Sequence, residues 1–111
     1  MHMGALPIVG GVGPNNLVHV LLNNGAHESV GGQPTVADKI NFKDIVLASG
    51  YKGYALATTQ EEILNKWDQL ANVAGPVMLE IRIAIGSRDD LGRPTSSPLE
   101  NKRAFMDWVT L

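Results

Sequence analysis

The chain contains no cysteine, which excludes disulfide bonds and thiolate metal sites. It has no cluster of basic residues and a formal net charge of −2, so neither nucleic acid nor an acidic membrane surface is an expected partner. No apolar run approaches the roughly 20 residues that cross a bilayer. Residues 1–13 lack the charged start of a signal peptide, and we expect a cytoplasmic protein.

What the chain does have is the composition of one small globular domain. It is 111 residues long, with 44% apolar and 18% charged residues, which is enough for a single hydrophobic core. No internal repeat, low-complexity tract or long linker divides it. We therefore treat residues 1–111 as one unit.

Segments typical of strands and of helices alternate along the sequence. Three apolar runs are typical of strands: residues 17–22, 54–57 and 77–85. Helix starts are indicated by Asn41, as a cap for residues 42–49, and by capping-box patterns that begin at Thr59 and Ser97. This order predicts an α/β fold, a three-layer sandwich with a mainly parallel sheet.

The residue patterns also predict which segments are buried. Residues 17–22 are apolar on both faces except at His19, which suits a strand covered on both sides. Glu80 and Arg82 alternate with apolar residues in the third strand and indicate a more exposed strand. The predicted buried face of the last helix consists of Leu99, Phe105, Met106 and Val109.

The amino end carries weaker signals. Pro7, Gly10 and Gly11 disfavour a helix over residues 3–9, although the apolar residues there have helical spacing. The chain begins inside this apolar segment without a cap or a turn. We expect a domain truncated at its N-terminal side, with further strands upstream.

The most informative stretch is residues 23–33, where the first apolar run stops at amide, imidazole, carboxylate and glycine residues. This pattern indicates a buried strand that delivers its end to a polar site, since ligands of open α/β sheets bind at the carboxyl ends of strands. Asn23-Asn24-Gly25 alone is also a turn signal. His27 and Glu28 fit either a solvated loop or a ligand contact.

Residues 23–35 resemble the thiamine-diphosphate-binding domain of phosphonopyruvate decarboxylases, and they are similar to the corresponding chain of sulfopyruvate decarboxylases. Residues 1–4 look like the helix that follows the Gly-Asp-Gly signature of that family, and residues 92–100 look like its final loop and helix. The resemblance spans nearly the whole chain and identifies residues 1–111 as a partial C-terminal domain. Gly-Asp-Gly itself does not occur, and we expect its Asp upstream of Met1.

The resemblance implies two cofactors, thiamine diphosphate and Mg²⁺. In the family pattern the metal is bound by the Asp of Gly-Asp-Gly, by an Asn side chain further along the chain and by a backbone carbonyl two residues after that Asn. The last two imply Asn24 and Ala26 as ligands here. Oxygen ligands of this kind suit Mg²⁺. The full set of implied cofactor-binding residues is Met3, Gly4, Asn24, Gly25, Ala26, His27 and Glu28.

The implied activity is decarboxylation of a small 2-oxo acid, phosphonopyruvate, to phosphonoacetaldehyde and CO₂. Sulfopyruvate and other 2-oxo acids remain alternative substrates, and a non-catalytic assembly or binding module is an alternative role. The family also uses a pyrimidine-binding domain or subunit, whose Glu activates the cofactor, and its domains pair as homo-oligomers. We therefore expect catalytic residues outside this chain and no turnover by the chain alone.

Overall fold

The computed structural model describes residues 3–110, which form four α-helices, five strands and one short 3-10 helix (Glu28–Val30). In chain order the α-helices and strands are α1 (Ala5–Val12), β1 (Val18–Asn23), β2 (Ala26–His27), β3 (Gln33–Pro34), α2 (Phe42–Ala48), β4 (Gly53–Ala57), α3 (Gln60–Ala71), β5 (Val77–Arg82) and α4 (Pro98–Val109). Met1 and His2, which the resemblance joins to the first helix, lie outside the described residues.

The central sheet has three parallel strands in the order β1-β5-β4. Val77 of β5 lies opposite both Val18 of β1 and Gly53 of β4, so the three strands begin at the same level. Their carboxyl ends therefore meet along one edge of the sheet. The short strands β2 and β3 form a separate antiparallel pair immediately after β1.

Helices cover both faces of this sheet. On one face Met78 of β5 packs with Leu6 of α1 and Val46 of α2. On the other face its neighbours Val77 and Leu79 pack with Leu70 of α3, because successive side chains of a strand point to opposite faces. The predicted α/β sandwich with a parallel sheet is confirmed.

The predicted helix caps are also confirmed. Asn41 accepts a hydrogen bond from the Asp44 N–H at 3.3 Å and caps α2. Thr59 and Ser97 begin complete capping boxes with Glu62 and Glu100, and they start α3 and α4. These signals involve only residues within four positions of each other, which is why the sequence alone was enough to predict them.

The helix α1 exists despite its glycines, and one of them explains its position. A Cβ on Gly10 would lie only 1.7 Å from the backbone oxygen of Ser49, at the end of α2. Glycine therefore lets the two backbones come into direct contact. The two helices enclose one side of the sheet as a result.

The burial predicted for the first apolar run (residues 17–22) and for the third (residues 77–85) was wrong. The strand β5 is the central one and is buried from Val77 to Glu80, whereas β1 is an edge strand that leaves Leu22 62% exposed. The strand β5 ends at Arg82 rather than at residue 85. The charged side chains of β5 misled the prediction because neighbouring side chains, described below, compensate the buried Glu80.

The buried face predicted for the last helix was also wrong. No residue of α4 is buried, and Phe105 and Trp108 are 61% and 71% exposed. An amphipathic pattern predicts that an apolar stripe exists but does not predict which part of a protein covers it. No helix among residues 3–110 combines the length with the apolar character that a bilayer span requires.

Candidate functional site

A cleft of about 580 Å³ opens at the carboxyl end of β1, between α1 and the loop of residues 23–42. Its apolar wall includes Leu6, Ile40 and Phe42. The residues from the predicted set that line it are Met3, Asn24, Gly25, Ala26 and His27. The cleft thus lies where the end of the first strand predicted a polar site.

Two members of the predicted set lie outside the cleft lining. Gly4 is the N-cap of α1 and, as a glycine, has no side chain that could form a capping hydrogen bond. Glu28 is exposed and joins two segments, since its carboxylate accepts from the Asn24 side chain and from the Gly86 N–H at 2.6 Å. The structure therefore brings Glu28 to Asn24 rather than to the cleft itself.

The side-chain amide of Asn24 forms hydrogen bonds through both its nitrogen and its oxygen. Its Nδ2 donates to Glu28 Oε2 at 2.5 Å, and its Oδ1 accepts the Ala26 N–H at 3.0 Å. Because a carboxylate only accepts hydrogen bonds, the NH₂ end of the amide must face Glu28 and the oxygen must face the loop. This oxygen has a second lone pair left for another contact.

Asn23 repeats this arrangement one residue earlier. Its Nδ2 donates to Glu80 Oε1 at 2.7 Å, and its Oδ1 accepts the Gly25 N–H at 3.1 Å. Asn23 is only 8% exposed, Asn24 is half-buried, and both line the cleft. Their NH₂ groups have different partners, since Asn23 donates to Glu80 in the sheet and Asn24 donates to Glu28 in the loop.

The loop geometry depends on Gly25. Its φ of 67° lies in the left-handed region, which residues with a side chain rarely adopt. Its carbonyl accepts the Thr35 N–H at 2.8 Å, which closes the loop onto the strand pair β2–β3. Opposite Ala26 in that pair lies Pro34, which has no N–H to donate to the Ala26 carbonyl.

The charge around the cleft decides what it can hold. None of the described residues that line it is Asp, Glu, Lys or Arg. A diphosphate in this cleft would need a counter-charge, because burying an uncompensated anion is costly. The amide and carbonyl oxygens of Asn24 and Ala26 fit Mg²⁺ together with phosphate oxygens.

A metal site of another type is not formed in this part of the chain. Within residues 3–110 no three His, Asp or Glu side chains come together as a possible metal site. Among the described residues, a divalent ion at the cleft would therefore depend on neutral oxygens and on its own anionic ligand. The resemblance implies one further ligand, the carboxylate of the Asp expected upstream of Met1.

Sequence reasoning missed the most buried polar residue of the site edge. Glu80 is 1% exposed and accepts hydrogen bonds from Asn23, Arg82 and Tyr54. Burial, followed by the hydrogen bond to Glu80 and its negative charge, raises the pKa of the Tyr54 phenol well above its ordinary value. The phenol therefore remains a hydrogen-bond donor. A Glu inside an apolar strand was a signal, but strand periodicity assigned it to a solvent face.

The parallel sheet with a ligand-sized cleft at the carboxyl end of a strand defines the class of ligand-binding α/β domains. Over 110 residues the chain is 36% identical to phosphonopyruvate decarboxylase from Streptomyces viridochromogenes and 32% identical to phosphonopyruvate decarboxylase from Streptomyces hygroscopicus. These matches cover 99% of this chain but only 28% and 27% of the relatives. No family model matches the chain. The resemblance to phosphonopyruvate decarboxylase is confirmed, for a segment of that enzyme.

Proposed function

We propose that this chain is the C-terminal, thiamine-diphosphate-binding part of a phosphonopyruvate decarboxylase, which converts phosphonopyruvate to phosphonoacetaldehyde and CO₂. The observation that carries the proposal is the orientation of Asn24, whose oxygen faces the cleft loop because its NH₂ group faces Glu28. Both relatives are phosphonopyruvate decarboxylases, which supports phosphonopyruvate rather than sulfopyruvate as the substrate.

The task of this chain is to anchor the cofactor. Asn24 Oδ1 and the Ala26 carbonyl would bind Mg²⁺, and Mg²⁺ would in turn neutralise the diphosphate in a cleft whose described lining has no Lys or Arg side chain. When bound, thiamine diphosphate supplies the electron sink that decarboxylation needs. Leu6 and Phe42 in the apolar wall would limit the access of water to a bound cofactor.

The rest of the active site would come from elsewhere. We propose that a pyrimidine-binding domain or subunit completes the site and that the assembled enzyme is a homo-oligomer. The exposed apolar residues of β1 and α4 support this, because exposed apolar surface of this extent marks an interaction site. The isolated chain would then bind cofactor weakly and show no turnover. The cytoplasmic location expected from the sequence stays a prediction.

The test uses the full-length protein that we propose contains this chain. Purified protein is stripped of cofactor, and calorimetry measures the binding of thiamine diphosphate in the presence of Mg²⁺. Asn24→Ala should weaken binding by at least about tenfold, as expected for loss of a metal ligand. The matched control is Asn16→Ala, because Asn16 is an exposed residue before the opposite end of β1.

Turnover measurements complete this test. Release of CO₂ and of the aldehyde is followed with phosphonopyruvate and with sulfopyruvate, each with and without cofactor. Cofactor-dependent release from phosphonopyruvate is the expected result. Faster release from sulfopyruvate would overturn the proposed substrate, and cofactor binding without turnover of either acid would favour the non-catalytic module.

A further inference from the structure

We propose that Glu80 is a positioning residue for the cofactor loop. It orients Asn23, and Asn23 fixes the backbone from which Asn24 and Ala26 present their oxygens. This inference rests on the proposed function, because the loop matters only if it holds the metal and the diphosphate. Glu80 itself does not line the cleft.

The first step of the argument is the burial of Glu80. A carboxylate that is 1% exposed inside the central strand is costly unless it is fully compensated. Glu80 Oε1 accepts from Asn23 Nδ2 at 2.7 Å and pairs with Arg82 Nε at 2.9 Å, while its Oε2 accepts from the Tyr54 hydroxyl at 2.6 Å. The Arg82 side chain is 44% exposed, and an ion pair of this kind adds little stability compared with apolar residues. The presence of the buried Glu80 therefore needs another reason.

The second step is the direction of the Asn23 amide. Because the carboxylate of Glu80 accepts only, it forces the NH₂ group of Asn23 towards the sheet and the oxygen towards the loop. That oxygen then accepts the Gly25 N–H at 3.1 Å. If the amide were reversed, its NH₂ group would face the Gly25 N–H, and both donors would lose their partner.

The third step is the place where this contact acts. Gly25 is the residue at which the backbone enters the left-handed region, with φ of 67°. It lies between Asn24 and Ala26, the two residues proposed to bind the metal. A contact that fixes the Gly25 N–H therefore fixes the relative position of both oxygens. Groups that orient metal ligands in this way are typically worth about 10–100-fold in metal affinity.

Three variants of the full-length protein separate positioning from packing. Glu80→Met keeps the length of the side chain and removes every acceptor. Glu80→Gln keeps one oxygen for Asn23, while its NH₂ group can face the Tyr54 hydroxyl, which accepts as well as donates. Leu70→Ala is the stability control, because Leu70 is buried on the opposite face of the sheet and does not contact the network.

The measurements are the affinity for thiamine diphosphate with Mg²⁺ and the midpoint of urea unfolding. We expect Glu80→Met to weaken binding by about 10–100-fold, Glu80→Gln to bind nearly as wild type, and Leu70→Ala to lose stability without losing affinity. Equal affinity of wild type and Glu80→Met would overturn the inference and leave the proposed function standing. Wild-type protein that does not bind the cofactor would overturn both.

A further variant keeps the inference testable if Glu80→Met does not fold. Asn23→Ala leaves Glu80 with Arg82 and Tyr54, and it removes the acceptor of the Gly25 N–H together with one donor to Glu80. We expect it to lose affinity to the same extent as Glu80→Met. Wild-type affinity in folded Asn23→Ala would refute the positioning role.

Discussion

Two adjacent glycines of α1 provide a matched pair of substitutions to the same residue. Gly10 and Gly11 both lie inside the helix, and neither has a positive φ, so alanine suits the backbone at both positions. A Cβ on Gly10 would lie 1.7 Å from the Ser49 oxygen, whereas a Cβ on Gly11 would meet nothing within 4 Å. The two substitutions therefore share the change in helix propensity and differ only in the clash.

The two substitutions should change the free energy of unfolding in opposite directions. Alanine is better than glycine inside a helix by about 1 kcal/mol, and Gly11→Ala should gain most of this free energy of unfolding. Gly10→Ala gains the same amount but overpacks the contact between α1 and α2, at a cost near the upper end of about 1–3 kcal/mol, because backbone cannot rotate away. We expect a net loss of about 2 kcal/mol for Gly10→Ala and thus a gap of about 3 kcal/mol between the variants.

Urea unfolding of the full-length protein measures both changes, and hydrogen exchange of the α1 and α2 amides localises them. Gly10→Ala should also weaken cofactor binding, because α1 carries Leu6 into the cleft wall. Equal stability of the two variants would refute the close approach of α1 to the end of α2. A stabilised Gly10→Ala would refute it more directly.

Three further predictions concern the loop and the helix caps. Gly25→Ala should cost about 1–2 kcal/mol of backbone strain and weaken Mg²⁺-dependent cofactor binding measured by calorimetry, while Gly25→Asn should lose less; equal losses would argue against strain. Thr59→Ala removes the cap of α3 and should lower the free energy of unfolding by about 1 kcal/mol in urea; no change would mean that the cap is not formed. Hydrogen bonds from the Thr58 hydroxyl and N–H lower the pKa of Glu62 below its ordinary 4.5, so its stabilising contribution is present above that pH and lost as pH falls through the lowered pKa. Glu62→Gln should therefore flatten the acid side of a plot of unfolding midpoint against pH, and an unchanged acid side would contradict this.

Features that depend on neighbouring residues in the sequence were predictable. Asn41, Thr59 and Ser97 cap helices in the way their spacing indicates, because a cap involves one turn of chain. The alternation of apolar strands and helices was sufficient for the α/β class. His19, the polar exception in the first apolar run, is half-buried and forms a 2.9 Å hydrogen bond with Tyr51.

Features that depend on distant residues were not predictable from patterns. Glu80 lies 57 positions from Asn23 in the sequence, and only the parallel register of β1 and β5 brings them together. The same register gives β5 the central place and makes the strand with charged residues the buried one. Gly10 was interpreted as a weakness of α1 because its partner, Ser49, comes from another helix.

The candidate site was predicted by resemblance and not by periodicity. The pattern of residues 23–33 indicated a polar site at the end of a strand, and the cleft lies there. Asn24 and Ala26 were assigned as metal ligands only because the family pattern has an Asn and a carbonyl at that spacing. The structure adds the orientation of the Asn24 amide, whose NH₂ group donates to Glu28 and whose oxygen faces the loop.

The central claim is that the side-chain oxygen of Asn24 binds the Mg²⁺ that carries thiamine diphosphate. The most direct measurement is the affinity of the full-length protein for thiamine diphosphate over a series of Mg²⁺ concentrations, in wild type and in Asn24→Ala. We predict that wild-type affinity rises steeply with Mg²⁺ and that the variant needs at least about tenfold more Mg²⁺ for the same affinity. Superimposable curves for the two proteins would contradict the claim.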